Sequence, residues 1–138
     1  MTPELSIILP AYNESEHLEN VVSEMAKVLE IAGISYEIRI VNNGSTDDTE
    51  SVVAEIEAQN PRITHLHLEK NQHYGGGILA GLKDAKGAVV GWADADGQVD
   101  PDTIAQLFLT MRKKGFELGK AVRIIRPEAL GRRIQTMA

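Results

Sequence analysis

The sequence predicts an α/β fold in which a Rossmann-like, mostly parallel sheet is flanked by helices. Short apolar strands alternate with segments of helical periodicity, a pattern that is typical of βαβ units. The chain has 138 residues, of which 43% are hydrophobic, and this size fits a single domain over residues 1–138. A polar segment follows each predicted strand, as expected where the strand ends of a parallel sheet build a site.

The first βα unit begins at residues 5–9, where the sequence LSIIL predicts a buried strand. We expect Pro10 to end this strand, because proline cannot donate to a sheet ladder. Apolar residues recur at helical spacing over residues 14–32, and Gly33 supplies the usual stop. The unit therefore consists of a strand followed by a helix with one apolar face.

The same alternation continues through the middle of the chain. Residues 37–41 predict a second strand, and residues 46–59 predict a second helix. Residues 63–68 predict a third strand, which is followed by a short helix over residues 78–85 and a fourth strand over residues 88–93. These segments supply four strands joined by three helices.

The last part of the chain is predicted to begin with another helix over residues 102–114. Asp100 is a good N-cap and Pro101 suits the first helical position. Beyond this helix the pattern weakens, and we expect a strand over residues 121–125 and the beginning of a truncated helix over residues 131–138.

Composition and charge argue against several classes of function. The chain has no cysteine, which excludes disulfides and thiolate metal sites and favours a cytoplasmic protein. Its net charge of -6 at pH 7 argues against a nucleic-acid partner held by a general basic surface. No apolar run approaches the roughly 20 residues that span a bilayer. The basic residues that follow Arg112 nevertheless make the end of the chain a basic block.

Two acids, Asp94 and Asp96, follow the fourth predicted strand. In extended backbone, residues two apart point to the same side, so both carboxylates are expected to face one ligand. Hard cations such as Mg²⁺ and Mn²⁺ take carboxylate oxygens and usually hold substrate phosphates in their remaining positions. The pair therefore indicates a metal site for a nucleotide diphosphate. The alternative is a solvated acidic turn in which Gly97 only reverses the chain.

Four segments of this chain recur in the order and spacing of a known family. They are SIILPAYNESEHL, VNNGSTDDT, NQHYGGGILAGLKDAKG and WADADGQVDP. The chain resembles the inverting nucleotide-sugar glycosyltransferases of family 2, in particular the branch similar to dolichyl-phosphate and polyprenyl-phosphate mannosyl- or glucosyltransferases. The resemblance covers essentially the whole chain and implies the A-type glycosyltransferase fold. It also implies that a C-terminal acceptor-binding part is lacking from residues 1–138.

The resemblance implies a nucleoside site at the end of the first strand. Its residues would be Pro10, Ala11, Tyr12 and Glu14, with Tyr12 against the base or ribose. An aromatic ring offers a stacking face to any base, which agrees with this role. The alternative is that Tyr12 packs on its own loop and that Glu14 supports the N-terminal end of its helix.

The resemblance also places binding residues after the second and third strands. Asn43 matches a position where the family usually carries an acid that accepts a hydrogen bond from the base, and an amide oxygen can also accept such a bond. For Asn42 the alternative of a plain Asn-Gly turn has weight, so Asn43 is the preferred candidate. Gly75, in the glycine run, would bring backbone close to a phosphate or sugar.

By the same resemblance, Asp94 and Asp96 are the catalytic carboxylates that hold the metal, and Asp94 also contacts the donor. Gln98 matches a position that helps to hold the metal. Lys120 and Arg123, together with Arg126, approximately match a positive segment that faces donor or acceptor phosphate. The alternative for these basic residues is a solvated tail.

The function that the resemblance implies is transfer of a sugar from a GDP- or UDP-sugar to an acceptor, with inversion and with Mg²⁺ or Mn²⁺ as cofactor. The acceptor would be a polyprenyl phosphate, another lipid phosphate or a glycan. Peripheral association of a full-length protein with the inner face of the membrane is also implied. A non-catalytic nucleotide-sugar binding module is the alternative from another class. A nucleotidyltransferase ranks third, because PAYNESE is neither glycine-rich nor basic.

Overall fold

A computed structural model of the chain describes residues 2–121, together with the backbone of residues 124–125 and 134–135. The chain forms two compact units, Met1–Pro101 and Asp102–Ala138. The expectation of one domain over the whole chain stays a prediction. Among the described residues, no helix is long and apolar enough to cross a membrane.

The first unit contains a parallel sheet whose strands are joined by helices. Its elements are β1 (Leu5–Ala11), α1 (Leu18–Ile31), β2 (Tyr36–Asn43), α2 (Thr49–Gln59), β3 (Ile63–Leu68), α3 (His73–Leu82) and β4 (Val89–Trp92). The strands lie in the order β3-β2-β1-β4, and each neighbouring pair is parallel. The predicted α/β fold with a parallel sheet flanked by helices is therefore confirmed.

Helices α2 and α3 lie on opposite faces of the sheet. A side chain added at Gly81 of α3 would lie 2.9 Å from a methyl carbon of Val41 on β2, so Val41 faces α3. The next residue towards the start of β2, Ile40, points to the other face. Its register partner His65 pairs with Glu57 of α2. Since α1 packs against α2, α1 and α2 cover one face and α3 covers the other.

The core is centred on β1 and β2, which are buried along their whole length. Central strands of a parallel sheet are covered on both faces, so most of their side chains are apolar on both sides. The buried polar exceptions on β1 and β2 are Ser6, Glu37, Arg39, Asn42 and Asn43. Each fully buried Leu or Ile contributes about 1.5–3 kcal/mol relative to an exposed one. Strand β4 lies at the edge and is only partly buried.

The prediction that Pro10 ends β1 was wrong, because the strand continues through it to Ala11. The carbonyl oxygen of Ile8 accepts the N–H of Ala93 at 3.1 Å, so the backbone groups of even-numbered β1 residues point towards β4. Strand β4 ends at Trp92, opposite Ile8. The N–H that proline lacks would lie beyond this last pair, so no ladder bond is lost.

Helices α1 and α2 begin three to four residues later than predicted, at Leu18 and Thr49. Before each helix, polar side chains bond to the backbone and hold a turn. The carboxylate of Asp47 accepts the N–H of Thr49 at 2.9 Å. Such local bonds compete with helical hydrogen bonds, which explains the later start.

Helix α3 begins at His73 and ends at Leu82, whereas the prediction was residues 78–85. The glycine run that suggested a loop is the first part of this helix. A side chain at Gly77 would lie 3.2 Å from Cβ of Pro10 and 2.9 Å from Nδ2 of Asn43. Close packing of α3 on the sheet therefore explains glycine at position 77 despite the low helix propensity of this residue.

Most of α4 (Pro101–Lys114) lies in the second unit, and the helix agrees with its predicted bounds to within one residue. Gly115 has a positive φ of 69°, which suits the residue after a helix. Strands β5 (Ile124–Ile125) and β6 (Ile134–Gln135) pair antiparallel. The predicted helix over residues 131–138 was thus wrong at β6, where pairing with β5 replaces helical bonding.

Candidate functional site

The order of the strands places a crevice at the carboxyl ends of β1 and β4. From β1 the chain proceeds through α1 on one face, whereas β4 is reached through α3 on the other face. Ligands of open α/β sheets bind at such a switch point, outside the carboxyl ends of the strands. The candidate site is therefore formed by the loops that follow β1 and β4, together with the first turn of α3.

Asp94 lies just beyond β4, beside the first turn of α3. The hydroxyl of Tyr74 lies close enough to Asp94 to interact with its carboxylate, and the charge of Asp96 also acts on this tyrosine. Burial raises the pKa of the Tyr74 hydroxyl, and the interaction with Asp94 and the two carboxylate charges raise it further. The structure thus brings the two acids together, and it adds a tyrosine to them.

Asp96 lies in a turn that points towards the β1 side of the crevice. One of its carboxylate oxygens accepts the N–H of Gln98 at 3.0 Å, and Gly97 has a φ of 80°. The backbone of Gln98 therefore supports the turn, while its side chain is exposed. Asp94 and Asp96 are each only partly buried, so their carboxylates remain accessible to a ligand.

Glu14 connects the β1 loop to these acids electrostatically. Burial raises the pKa of the Glu14 carboxyl, His17 lowers it, and the charges of Asp96 and Asp47 raise it again. Like charges act in this way only when they lie near one another. The segments after β1, β3 and β4 therefore lie near one another, and the loop after β2 joins them, because the N–H of Thr46 donates to the side-chain oxygen of Asn13 at 2.8 Å. The predicted convergence of the polar strand ends on one edge of the sheet is confirmed.

The other residues predicted for the nucleoside differ in accessibility. Pro10 and Ala11 are buried within β1. Tyr12 follows them directly and is 47% exposed, so its side chain is accessible to a ligand. The interpretation of Tyr12 as packed into its own loop is not favoured by this exposure.

Asn43 is buried, and its amide bonds to the loop before α3. Its oxygen accepts the N–H of Gln72 at 2.8 Å, and its nitrogen donates to the carbonyl of His73 at 2.9 Å. Asn42 is also buried and bonds to His67 at 3.0 Å. A contact between Asn43 and a base stays a prediction, and the described bonds give this residue a structural role as well.

Gly75 lies in the first turn of α3, and no atom lies within 4 Å of a side chain added there. The backbone is therefore open to solvent at this position, unlike at Gly77. Lys120 is exposed in the second unit. Arg123 and Arg126 lie outside the described residues, so the acceptor role of the basic segment stays a prediction.

Sequence reasoning missed two functional candidates, Tyr74 and Asn13. Tyr74 directly precedes the glycines, but the glycine run was interpreted as a loop, which hid its place on the first turn of a helix. Asn13 has a positive φ of 54° and bonds to the loop after β2. The only signal in the sequence was an asparagine directly after the strand end.

Two comparisons of sequence identify relatives of this chain. A family model described as Glycosyl transferase family 2 matches residues 6–137. An uncharacterized glycosyltransferase from Synechocystis sp. is 36% identical over 123 residues, which cover 89% of this chain and 38% of that protein. The chain therefore spans well under half the length of this relative.

Two solved structures are similar to the described fold. The mannosyltransferase PcManGT from Pyrobaculum calidifontis, in complex with GDP-Man and Mn²⁺, has a TM-score of 0.68 at 23% identity over 80% of this chain and 33% of its own. S. aureus TarS 1–349, in complex with UDP-GlcNAc, has a TM-score of 0.62 at 24% identity over 80% of this chain and 31% of its own. At these identities the likeness shows the fold, which is that of the A-type glycosyltransferases.

Proposed function

The chain belongs to glycosyl transferase family 2, and from this premise we propose that its site binds the nucleotide diphosphate-sugar donor of a glycosyltransferase. The observation that carries the proposal is the meeting of three segments at the switch point. Asp94 lies beside Tyr74 of α3 and acts on its hydroxyl, while Asp96 lies close enough to raise the pKa of Glu14 in the β1 loop. Two acids that lie between the β1 loop and the first turn of α3 suit an anionic ligand that binds together with a cation.

The residues present fit a hard divalent cation, Mg²⁺ or Mn²⁺. Asp94 and Asp96 offer carboxylate oxygens, which such cations prefer. No group of three potential metal-binding side chains occurs within the part of the chain that the structure describes. Asp94 and Asp96, with Gln98 as a further proposed contact, would hold the cation, and the diphosphate and water would supply the remaining oxygens. The bound cation would neutralise charge on the leaving nucleotide diphosphate.

The nucleoside would lie along the β1 loop, with its base or ribose on the exposed ring of Tyr12. Stacking on one aromatic face tolerates several bases, so Tyr12 alone does not select uridine or guanosine. The relatives with known ligands use both, since PcManGT was solved with GDP-Man and TarS with UDP-GlcNAc. A GDP- or UDP-sugar is therefore the proposed donor class, with Pro10, Ala11, Asn43 and Gly75 completing the donor side.

For the acceptor we propose a lipid phosphate such as a polyprenyl phosphate, on the resemblance to the dolichyl-phosphate sugar transferase branch. A phosphate is already an anion at neutral pH, so the attacking oxygen needs no strong general base. Catalysis would then depend on alignment and on charge stabilisation, with attack from the face opposite the leaving group and inversion at the anomeric carbon. Lys120 and Arg123 are the proposed contacts to the acceptor phosphate at the inner face of a membrane.

The test is calorimetric titration of UDP, GDP, UDP-GlcNAc and GDP-mannose, each with and without Mn²⁺. We compare wild type with Asp96→Asn and with the matched variant Glu55→Gln, which removes one charge from an exposed position on α2. Binding should depend on Mn²⁺, disappear in Asp96→Asn and persist in Glu55→Gln. A wild-type protein that melts cooperatively yet binds none of the four ligands would overturn the proposal.

A further inference from the structure

Two loops at the candidate site are joined by a set of reciprocal hydrogen bonds that we call the loop clasp. It links Asn13, in the β1 loop, to the loop between β2 and α2. The Asn13 side-chain oxygen accepts the N–H of Thr46 at 2.8 Å and that of Asp47 at 3.3 Å. The Asn13 N–H donates to the hydroxyl of Ser45 at 3.0 Å. The backbone and the side chain of Asn13 together thus bond three consecutive residues of the facing loop.

Asp47 of the facing loop accepts further hydrogen bonds, including one from the β1 loop. One carboxylate oxygen accepts the hydroxyl of Ser15 at 2.8 Å, and the other accepts the N–H of Thr49 at 2.9 Å. Thr49 in turn accepts the N–H of Glu14 with its hydroxyl at 3.1 Å. The hydrogen bonds from Thr49 lower the pKa of Asp47 to about 2, with a further contribution from Ser15. The carboxylate therefore accepts these bonds throughout the neutral range.

The backbone of Asn13 is unusual in a way that depends on the clasp. Its φ of 54° lies in the left-handed region, which non-glycine residues rarely adopt, although asparagine tolerates it better than most. Such a conformation persists when surrounding bonds hold it in place. Asn13 lies between Tyr12 and Glu14, so its left-handed backbone conformation determines how both neighbouring side chains are oriented relative to β1.

We propose that Asn13 is a positioning residue for the nucleotide, in that the loop clasp holds Tyr12 and Glu14 in their binding arrangement before the ligand arrives. This inference rests on the proposed function. A loop that is already ordered avoids the entropy cost of ordering when the ligand binds. Loss of this order therefore lowers the affinity for the nucleotide without removing a ligand contact. The effect should appear in the affinity for the nucleotide more than in the stability of the fold.

Two variants separate the side-chain bonds from the backbone conformation. Asn13→Gly removes the bonds but keeps the left-handed conformation accessible, whereas Asn13→Ala removes the bonds and disfavours that conformation. The matched control is Ser35→Ala at the opposite end of the same two strands. There the Ser35 hydroxyl accepts the N–H of Glu4 at 2.9 Å and donates to its carboxylate at 3.2 Å.

The experiment measures the Kd of UDP and GDP with Mn²⁺ and the amide exchange of residues 12–15 without ligand. Both Asn13 variants should bind about tenfold more weakly and exchange faster over this stretch, with Asn13→Ala the weaker binder, whereas Ser35→Ala should match wild type in both readouts. If Asn13→Gly binds the nucleotide as tightly as wild type, or if Ser35→Ala loses as much affinity as the Asn13 variants, the inference is overturned and the proposed function stands. If wild type binds no nucleotide, the inference and the proposed function are both overturned. If residues 12–15 exchange no faster in Asn13→Gly than in wild type, the loop clasp does not order this stretch and the inference is also overturned.

Discussion

Replacement of Gly81 by alanine would test whether the glycines of α3 serve close packing on the sheet. A Cβ at this position would lie 2.5 Å from Cγ2 of Ile8 and 2.9 Å from Cγ2 of Val41. Carbon atoms pack at about 3.5–4.0 Å, so α3 would have to move outward by about 1 Å. Both neighbours are fully buried on the two central strands, so they have little space into which to move.

The magnitude follows from two opposing contributions. Overpacking of a buried site costs about 1–3 kcal/mol, and alanine recovers about 1 kcal/mol of helix propensity relative to glycine. We therefore expect Gly81→Ala to lose about 0–2 kcal/mol of unfolding free energy. The matched control is Gly75→Ala in the same helix, where no atom lies within 4 Å of the new Cβ. This control should be neutral or more stable by up to ~1 kcal/mol.

The assay is urea unfolding followed by far-UV circular dichroism and by the fluorescence of Trp92, the one tryptophan of the chain. The two variants should differ by the overpacking cost of about 1–3 kcal/mol, with an unchanged slope of free energy on urea. Outward movement of α3 should also draw Tyr74 away from Asp94 and weaken Mn²⁺-dependent nucleotide binding. A Gly81→Ala protein at least as stable as Gly75→Ala would refute the packing argument.

Two further variants test the electrostatics and the hydrogen bonding of the site. Because the raised pKa means that the folded protein holds the Glu14 proton more tightly than the unfolded chain, stability falls as pH rises from 4.5 through the folded pKa. Glu14→Gln should therefore gain stability over wild type at pH 7 but not at pH 4 in urea unfolding, and a gain that does not change with pH would contradict this reasoning. Asn43→Asp places a carboxylate against the carbonyl of His73, which now accepts from the amide, so it should lose about 1–3 kcal/mol at pH 7 in the same assay. Equal stability of Asn43→Asp and wild type would show that the hydrogen bond to the carbonyl of His73 contributes little to the unfolding free energy.

The sheet was predictable because its signal is local. Four apolar runs, each followed by helical periodicity or turn residues, predict parallel strands regardless of what packs on them. Two errors arose where a neighbour in space decides the outcome. Pro10 is accepted in β1 because β4 has already ended beside it, and the glycines of α3 are accepted because the sheet leaves no room for side chains at Gly77 and Gly81. The end of β4 beside Pro10 and the close approach of the sheet to α3 cannot be predicted from the residues that flank Pro10 or these glycines in the sequence.

The candidate site was predictable in outline for a related reason. Carboxyl ends of parallel strands meet at one edge, so polar residues after several strands predict a common site, and Asp94 and Asp96 were assigned to it in this way. Tyr74 and Asn13 were missed because their partners lie in other segments. Asn13 bonds to residues more than 30 positions away in the sequence. Neither periodicity nor a short motif predicts a contact between residues so far apart.

Asn43 shows how one side chain can carry two interpretations that compete for the same atoms. The resemblance assigns its amide to the base, whereas the structure uses the amide oxygen for Gln72 and the nitrogen for His73. A carboxylate could accept the first bond but could not donate the second. Asparagine is therefore suited here to joining the loops after β2 and β3, and the residue is only 3% exposed. Selection between bases in this chain would then depend on the position of the joined loops at least as much as on direct contact with Asn43.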